Sequence, residues 1–572
     1  MKRLGTGVVV LGLSMLSLLV AAGCGASQQQ SGQSSGGAGP ATPQYGGVFR
    51  MRSGGQELPS YDPRQTGVSG QSYHIHGLVY SQLLRRPFNK NALASPLVCE
   101  LCEKWETPDG GKTYIFTLRQ GIKWHNKPPL NGRALTAEDL RWALSDGEGL
   151  DSNNPKFIKQ FNDFVRVYGA KVEANGPLTV KITLKDASAD FLTTMANPNL
   201  TFVPREAVEA SKGPNNAEGF IGQGLTDSKL AIGTGPFMLK EYTKGVGGTL
   251  VRNPDYFLTD QLLKNGNKLP YLDEVQFLFL LDHRTRTAAM VAGQLDESGI
   301  YLDDTDIEQL KATGQFELDE APSGFGPWFE MNPEKAPFSD VRVRRALHLA
   351  TNRQDLIKVS NMKASTIQAW IPSGWAPFGL PAEDVLKRPG YRADKTQDKA
   401  EARRLLSEAG QSNLTFNVIA QQGGLDVEHA TVWQQQLKDI GVTIRVEPMD
   451  RPAFLRRQFD GNYEAASSPQ TCAGPDPGDC LLNFVAGEAK ARHRWTSPQM
   501  EALIQAASRT VDTNERVKVF RQAIDLLDEN AAGISLYRSP WHRGWRKGFH
   551  NVTAEPQASG LIHWVDHVWK DK

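Results

Sequence analysis

Net charge is almost missing from this sequence. Lysine and arginine total 64, aspartate and glutamate 63, the formal balance is +1, and no basic run is interleaved with aromatics. That excludes the electrostatic footprint of a nucleic-acid-binding protein. Apolar runs long enough to cross a bilayer are missing too. The single greasy stretch, residues 8–22, is about 15 residues long, short of the roughly 20 that a spanning helix needs. HExxH does not occur. DGGKT at 109–113 lacks the glycine of a phosphate loop, because position 106 is Glu106, and its lysine falls in a hairpin. Paired carboxylates such as Asp303 and Asp304 read as solvated rather than catalytic. His74 and His76 are two apart and His563 and His567 four apart, and pairs of this kind more often pack or meet water than hold a metal. No enzyme activity, no metal site and no cofactor is expected.

Cysteine is scarce, five in 572 residues, and one of the five stands apart. Lys2 and Arg3 precede the apolar run, and Ala21, Ala22 and Gly23 lead from it to Cys24. A charged start, a short apolar core and small residues make a signal peptide. Its end resembles a bacterial lipobox, which implies cleavage after residue 23 and acylation of the Cys24 thiol and new amino group. A plain secretory signal with an incidental cysteine is the alternative. Residues 24–44 carry almost only Ser, Gln, Gly, Ala and Pro. Such a tract has nothing to bury and serves as a flexible spacer. The folded part thus begins near Tyr45, outside the cytoplasm and tethered to a membrane by lipid. The remaining Cys99, Cys102, Cys472 and Cys480 suggest two disulfides in an exported chain, with three possible pairings. Pairing within each close couple is the simplest. A redox role for the CxxC is disfavoured because it precedes strands rather than opening a helix, and no spacing favours a four-cysteine zinc site.

The length allows two or three domains. Tyr114, Phe116 and Leu118 alternate as a strand leaving the turn at 109–111, and residues 176–186 alternate likewise. Residues 271–282 are more continuously apolar, as a central strand would be. Thr136 is placed to cap a helix with Leu140, Ala143 and Leu144 on one face. Ser339 opens another, with Val343, Ala346, Leu347 and Ala350 at helical spacing. Ala402, Leu405, Leu406 and Ala409 repeat the pattern before Gly410, and Val517, Phe520, Ile524 and Leu527 do so again. Helices and strands alternate throughout, which is the signature of α/β domains.

Several stretches, in order, carry a family resemblance: YGGVFR (45–50), YDPRQ (61–65), HGLVYSQLLR (76–85), the segment 104–126 around DGGKT, LTAEDL (135–140), AIGTGPFMLKEY (231–242), RNPDYF (252–257), LPYLDEVQF (269–277), GQLDESG (293–299), the PFSDVRVR block within 329–353, and KAEARRLLSEAG (399–410). Together they resemble the family-5 extracellular solute-binding proteins of ABC importers, the peptide, opine and nickel-chelate class, from about residue 45 to the end. The resemblance implies a periplasmic-binding-protein-like type II fold: two lobes joined by a hinge, with an extra inserted domain. Lobe one would be 45–88, 232–324 and 546–572, the insertion 89–231, and lobe two 325–545. It further implies a monomer that traps a small-molecule solute between its lobes and delivers it to permease subunits driven by a cytoplasmic ATPase. The anchor would hold it at the cell surface or in the periplasm. An exported enzyme and a chaperone lipoprotein are the rival classes. Gly233 and Gly235 read as positions of unusual backbone angle, and Arg342, Arg344 and Arg345 as surface or interdomain ion pairs.

The cleft of such a fold is lined by residues just past the first hinge crossing and by lobe-two loops. The candidates are Phe325, Trp328 and Asn332, then Trp370 and Trp375; Tyr73 and His74 from lobe one; and Gln470, Asp476 and Phe484 from the later loop. Aromatic walls cover apolar parts of a solute while a few polar groups orient it; for each tryptophan, packing inside lobe two is the alternative. Arg492 suits a solute carboxylate, or else a solvated turn. Peptide-binding members place an aspartate shortly before the acidic-Pro pair of the later loop, to meet the ligand's ammonium. Here Cys472, Ala473, Gly474 and Pro475 precede Asp476-Pro477. Either Asp476 substitutes, or the solute has no free α-amino group there, as in a glycoside, an opine or a metal chelate.

Overall fold

The computed structural model describes residues 42–53, 60–64, 73–88, 95–145, 161, 164, 168–197, 199–211, 225, 227–262, 264–280, 282–299, 302–472, 476–485, 494–554 and 561–572. The leader, Cys24 and nearly all of the spacer fall outside them, as does Arg492.

Three sheets organise the chain from Pro43 onward. In the first, Val48–Ser53 lies parallel to Glu274–Phe279, and Gly247–Arg252 and Phe237–Thr243 follow antiparallel. The apolar 271–282 stretch thus supplies an interior strand, flanked on both sides. The second sheet is antiparallel, in the order Cys102–Glu106, Thr113–Leu118, Thr179–Thr183, Lys171–Ala174. Tyr114, Phe116 and Leu118 point inward from their strand. Asp109 makes its turn: its Oδ1 accepts from the Lys112 and Thr113 amides at 3.1 and 2.6 Å. The third sheet has the order Thr443–Met449, Thr415–Gln421, Ala465–Thr471, Phe325–Met331, Ile534–Ser535. Its first three strands are mutually parallel and the last two run against their neighbours.

Parallel strands need both faces covered, and the third sheet has both. Phe329 stacks on Trp433 at 4.1 Å on one face, while Trp328 meets Trp370 and Phe484 edge-on at 6.1 Å on the other. Two strands, Phe316–Ala321 and Trp541–Arg546, pair antiparallel between the first sheet and the third. The chain passes into the third sheet at 321–325 and returns at 538–541. The two crossings run side by side: the Phe325 and Trp541 rings are 5.9 Å apart.

Helix ends show which polar residue wins each cap. The helix expected to open at Ser339 spans Val341–Ala350, with Asp340 as the cap, its Oδ1 accepting from the Arg342 amide at 2.8 Å. Asp303, expected to be solvated beside Asp304, caps the helix Asp304–Thr313 instead. Arg342 pairs with Asp340 as an ion pair. Arg344 departs from the expectation: it is buried, and its guanidinium donates to the carbonyls of Phe338 and Asn530.

Gly233 and Gly235 also depart from their expected reason. Neither has a left-handed backbone. A Cβ at Gly233 would collide with the Val79 carbonyl, and one at Gly235 would lie 2.7 Å from the Val79 carbonyl carbon. The glycines let two chain segments touch. His125 locks the contact, its amide donating to Gly233 O at 2.8 Å and its Nε2 lying 3.0 Å from Gly235 O. Burial pulls the His125 pKa down to about 4.

Candidate functional site

The three parallel strands of the third sheet all end at one edge, at Gln421, Met449 and Thr471. The antiparallel strand Phe325–Met331 begins there, and both crossings pass there. In α/β sheets, ligands bind beyond the carboxyl ends of the strands, so this edge is the candidate site. Phe325 is half-buried on it against Trp541.

Two glycines shape the edge. Gly326 lies in the strand and Gly324 just before it. A Cβ on Gly324 would come within 2.8 Å of the Trp375 indole, and one on Gly326 would run into Arg538 Nη1. Their missing side chains are the floor on which Trp375 and Arg538 lie. Gln470 stands opposite Gly326 across the sheet, and its Oε1 accepts from Arg538 Nη2 at 2.5 Å. Burial draws the Arg538 pKa down to about 10.

The other aromatic candidates sit deeper. Trp328, Trp370 and Phe484 form one edge-to-face cluster in the interior, with Trp370 and Phe484 at 5.3 Å. The indole of Trp328 donates to Ser468 Oγ and that of Trp370 to Asp528 Oδ1, each at 2.8 Å. Asn332 is fully buried and donates to the carbonyls of Gly461 and Tyr463, both at 3.1 Å. The structure thus brings Phe325, Trp375 and Gln470 to the edge and sets Trp328, Trp370, Phe484 and Asn332 behind it.

Asp476 belongs to a second group. Its Oδ1 accepts from the Gly478 amide at 2.7 Å and from Arg516 Nη2 at 2.8 Å. The adjoining disulfide joins Cys472 to Cys480 and pins this loop; Cys99 is joined to Cys102. Two further segments converge here. Burial pulls the Arg86 pKa down to about 10, against the charges of Asp476 and Asp479. Burial first, then the charge of Asp476, pushes the Asp190 carboxyl up. Next to it, the Ala189 amide donates to the Ser508 carbonyl at 2.8 Å. Residues far apart in the chain, at 86, 188–190 and 476–516, therefore meet around Asp476.

Tyr73 and His74 stand in the first turn of the helix Tyr73–Val79, and their side chains are outside the described residues. His76, from the same helix, is sealed, and burial pulls its pKa down to about 4. His567 is held by Asp566, Nδ1 to Oδ1 at 2.6 Å. Arg538, Trp541, Arg86, Arg516 and Asp190 escaped the sequence reading. The return crossing through YRSPW (537–541) carries a signal, because a chain that enters a second lobe and comes back passes the cleft twice.

Residues 97–491 match the family model described as bacterial extracellular solute-binding proteins, family 5, middle region. The chain belongs to that family. The dipeptide-binding protein of Escherichia coli is 25% identical over 523 residues, covering 86% of this chain and 90% of its own. A periplasmic binding protein from Helicobacter pylori, solved with the peptide STSA, superposes with a TM-score of 0.73 at 21% identity, over 92% of this chain and 99% of its own. The binding protein AgaA of A. tumefaciens, solved with agropinic acid, gives 0.68 at 22% identity, over 92% and 99%. The fold of this family-5 member is accordingly of the type II binding-protein kind, two hinged lobes with an extra inserted domain, and its named relatives are binding proteins.

Proposed function

We propose that this protein is the extracytoplasmic solute-binding subunit of an ABC importer, held to the membrane through lipid on Cys24. It closes around a small organic solute and hands it to permease subunits without turning it over. Lobe one comprises 45–88, 232–324 and 546–572, the insertion 89–231, and lobe two 325–545; each of the three sheets falls within one of these parts. The observation that carries the reading is the coincidence of both hinge crossings with the carboxyl edge of the third sheet, in a family-5 chain. A solute there touches both lobes, and it favours closure only by its differential affinity for the closed form.

Relatives that bind dipeptides or a peptide favour a peptide-like solute. A second reading, an opine or another solute without a free α-amino group, is favoured by Asp476. Its carboxylate is already engaged by Arg516 and the Gly478 amide, so an ammonium group would have to compete with a buried guanidinium. Native mass spectrometry of the mature protein tests the reading. One noncovalently bound small molecule is expected; protein that is bare after growth on several media contradicts it.

A further inference from the structure

Arg538 is a buried cation without a counter-charge among the described residues. It is 1% exposed, and its Nε and Nη1 have no hydrogen-bond acceptor among the described residues. Several arginines sealed as well elsewhere in the chain have a carboxylate, and Arg353 and Arg344, which form no such pair among the described residues, donate to backbone carbonyls instead. Arg64 has Asp62 at 2.7 Å, Arg516 has Asp476 at 2.8 Å, Arg85 has Asp566 at 3.4 Å and Arg543 has Glu297 at 3.4 Å. No such pair is formed by Arg538 among the described residues, and the one titrating group that raises its pKa is the Tyr391 phenol. Leaving a guanidinium desolvated and unpaired is costly, so its retention at this edge calls for a partner that the described residues do not supply.

Its surroundings have the same polarity. Gln470, 1% exposed, spends its Oε1 on Arg538 and leaves Nε2 without an acceptor; Trp375, 3% exposed, leaves its indole Nε1 without one. Gly326 leaves room for Arg538, Gln470 is cross-strand to Gly326, and the Trp375 indole closes on Gly324 just before the strand. Directly opposed residues of an antiparallel pair share a face. Unsatisfied donors of Gln470 and Arg538 therefore meet at the edge, bordered by the Trp375 indole, with no acceptor among the described residues to meet them.

We propose that Arg538, assisted by Gln470 Nε2 and Trp375 Nε1, receives an oxyanion of the solute, a carboxylate or a phosphate. The inference rests on the solute-binding reading above and gives it a chemical class. The planar guanidinium fork offers Nε and Nη1 to such a group. Opening at the 321–325 and 538–541 crossings uncovers the donors. Closure without an anion desolvates a lone cation, whereas closure on an anion does not, and that difference biases the hinge toward closing only on a charged guest. Arg538 is thus a specificity-determining residue. The opine and peptide readings both supply a carboxylate.

The test uses the full mature protein and two kinds of measurement. Native mass spectra are recorded for wild type, Arg538→Gln and Arg538→Lys from the same cells. The solute released by denaturing wild type is then titrated calorimetrically into stripped protein in three forms: untreated, methyl-esterified in acidic methanol, and phosphatase-treated. The expected result is an occupied wild type and an empty Arg538→Gln, with affinity at least ~100-fold weaker in that variant and about 10-fold weaker in Trp375→Phe. Loss of binding on esterification identifies a carboxylate, and loss on phosphatase treatment a phosphate. The stripped Arg538→Gln protein is expected to unfold at the same denaturant concentration as stripped wild type or a higher one, because an unpaired buried charge has gone. Equal occupancy of wild type and Arg538→Gln, or an esterified and dephosphorylated solute that binds unchanged, overturns the anion site while leaving the transport reading intact. A stripped Arg538→Gln protein markedly less stable than wild type shows a structural role instead. A bare wild type overturns the transport reading itself.

Discussion

Cys24→Ala abolishes incorporation of a palmitate analogue fed to the cells, an all-or-none loss. The run at 8–22 with Ala21, Ala22, Gly23 and Cys24 after it places one thiol where an acyl group can be attached, at the start of a tract with nothing else to hold a membrane. No helix among the described residues is long and apolar enough to cross a bilayer. On the proposed lipid anchor, about 0.8 kcal/mol per buried methylene means that more than one chain is needed for stable attachment. A companion variant, with residues 1–24 exchanged for a conventional secretory leader, is expected to be exported into the soluble fraction. It should fold and bind as wild type does, because the first strand, Val48–Ser53, and every residue of the candidate site lie beyond the exchanged segment. Label persisting in Cys24→Ala contradicts the anchor.

Asp566→Ala is expected to cost about 3–5 kcal/mol of unfolding free energy. Asp566 is fully buried in the C-terminal segment, and three groups use its carboxylate: Arg85 Nη1 at 3.4 Å, Tyr256 Oη at 3.2 Å and His567 Nδ1 at 2.6 Å. Burial pushes its pKa up, but the charges of His567 and Arg85 outweigh that and hold it low. This carboxylate ties the last turns of the chain to the 84–85 strand nearly five hundred residues earlier. Removing it takes a counter-charge from a buried guanidinium. Glu100 is the other carboxylate acting on Arg85, and burial pushes it up to about 7. An acid with a raised folded pKa is protonated below that pKa and charged above it, so Glu100 can replace part of the lost charge at pH 8 and none at pH 5. The destabilisation should thus be larger at pH 5 than at pH 8, read by denaturant unfolding at both. An equal loss at both values, or none, contradicts this account of the tail.

How much of this could be read beforehand differs by level. The helices Thr396–Glu408 and Thr513–Glu529 were legible because buried side chains recur with the helical period. The strand Thr113–Leu118 was legible because one face is wet and the other dry. What failed was anything decided by a distant segment. The glycine pattern at 233 and 235 could be seen, but its reason is the close approach of the Val79 carbonyl, more than 150 residues away. Arg344 looked like a surface charge because nothing local shows the Asn530 carbonyl it serves. At the site, Phe325 followed from the expected first crossing between lobes, and Trp375 and Gln470 from the expected lobe-two loops. Arg538 did not, since an unpaired arginine is a statement about every acidic residue in the fold, and a sequence does not show which of them stay away.

The central claim is that two lobes close on a solute at the hinge edge. Small-angle scattering of the delipidated protein, stripped by unfolding and refolding and then given back its own released solute, tests it most directly. The account predicts a smaller radius of gyration on saturation, tracking the calorimetric binding curve. Calorimetric saturation with an unchanged scattering profile would contradict it.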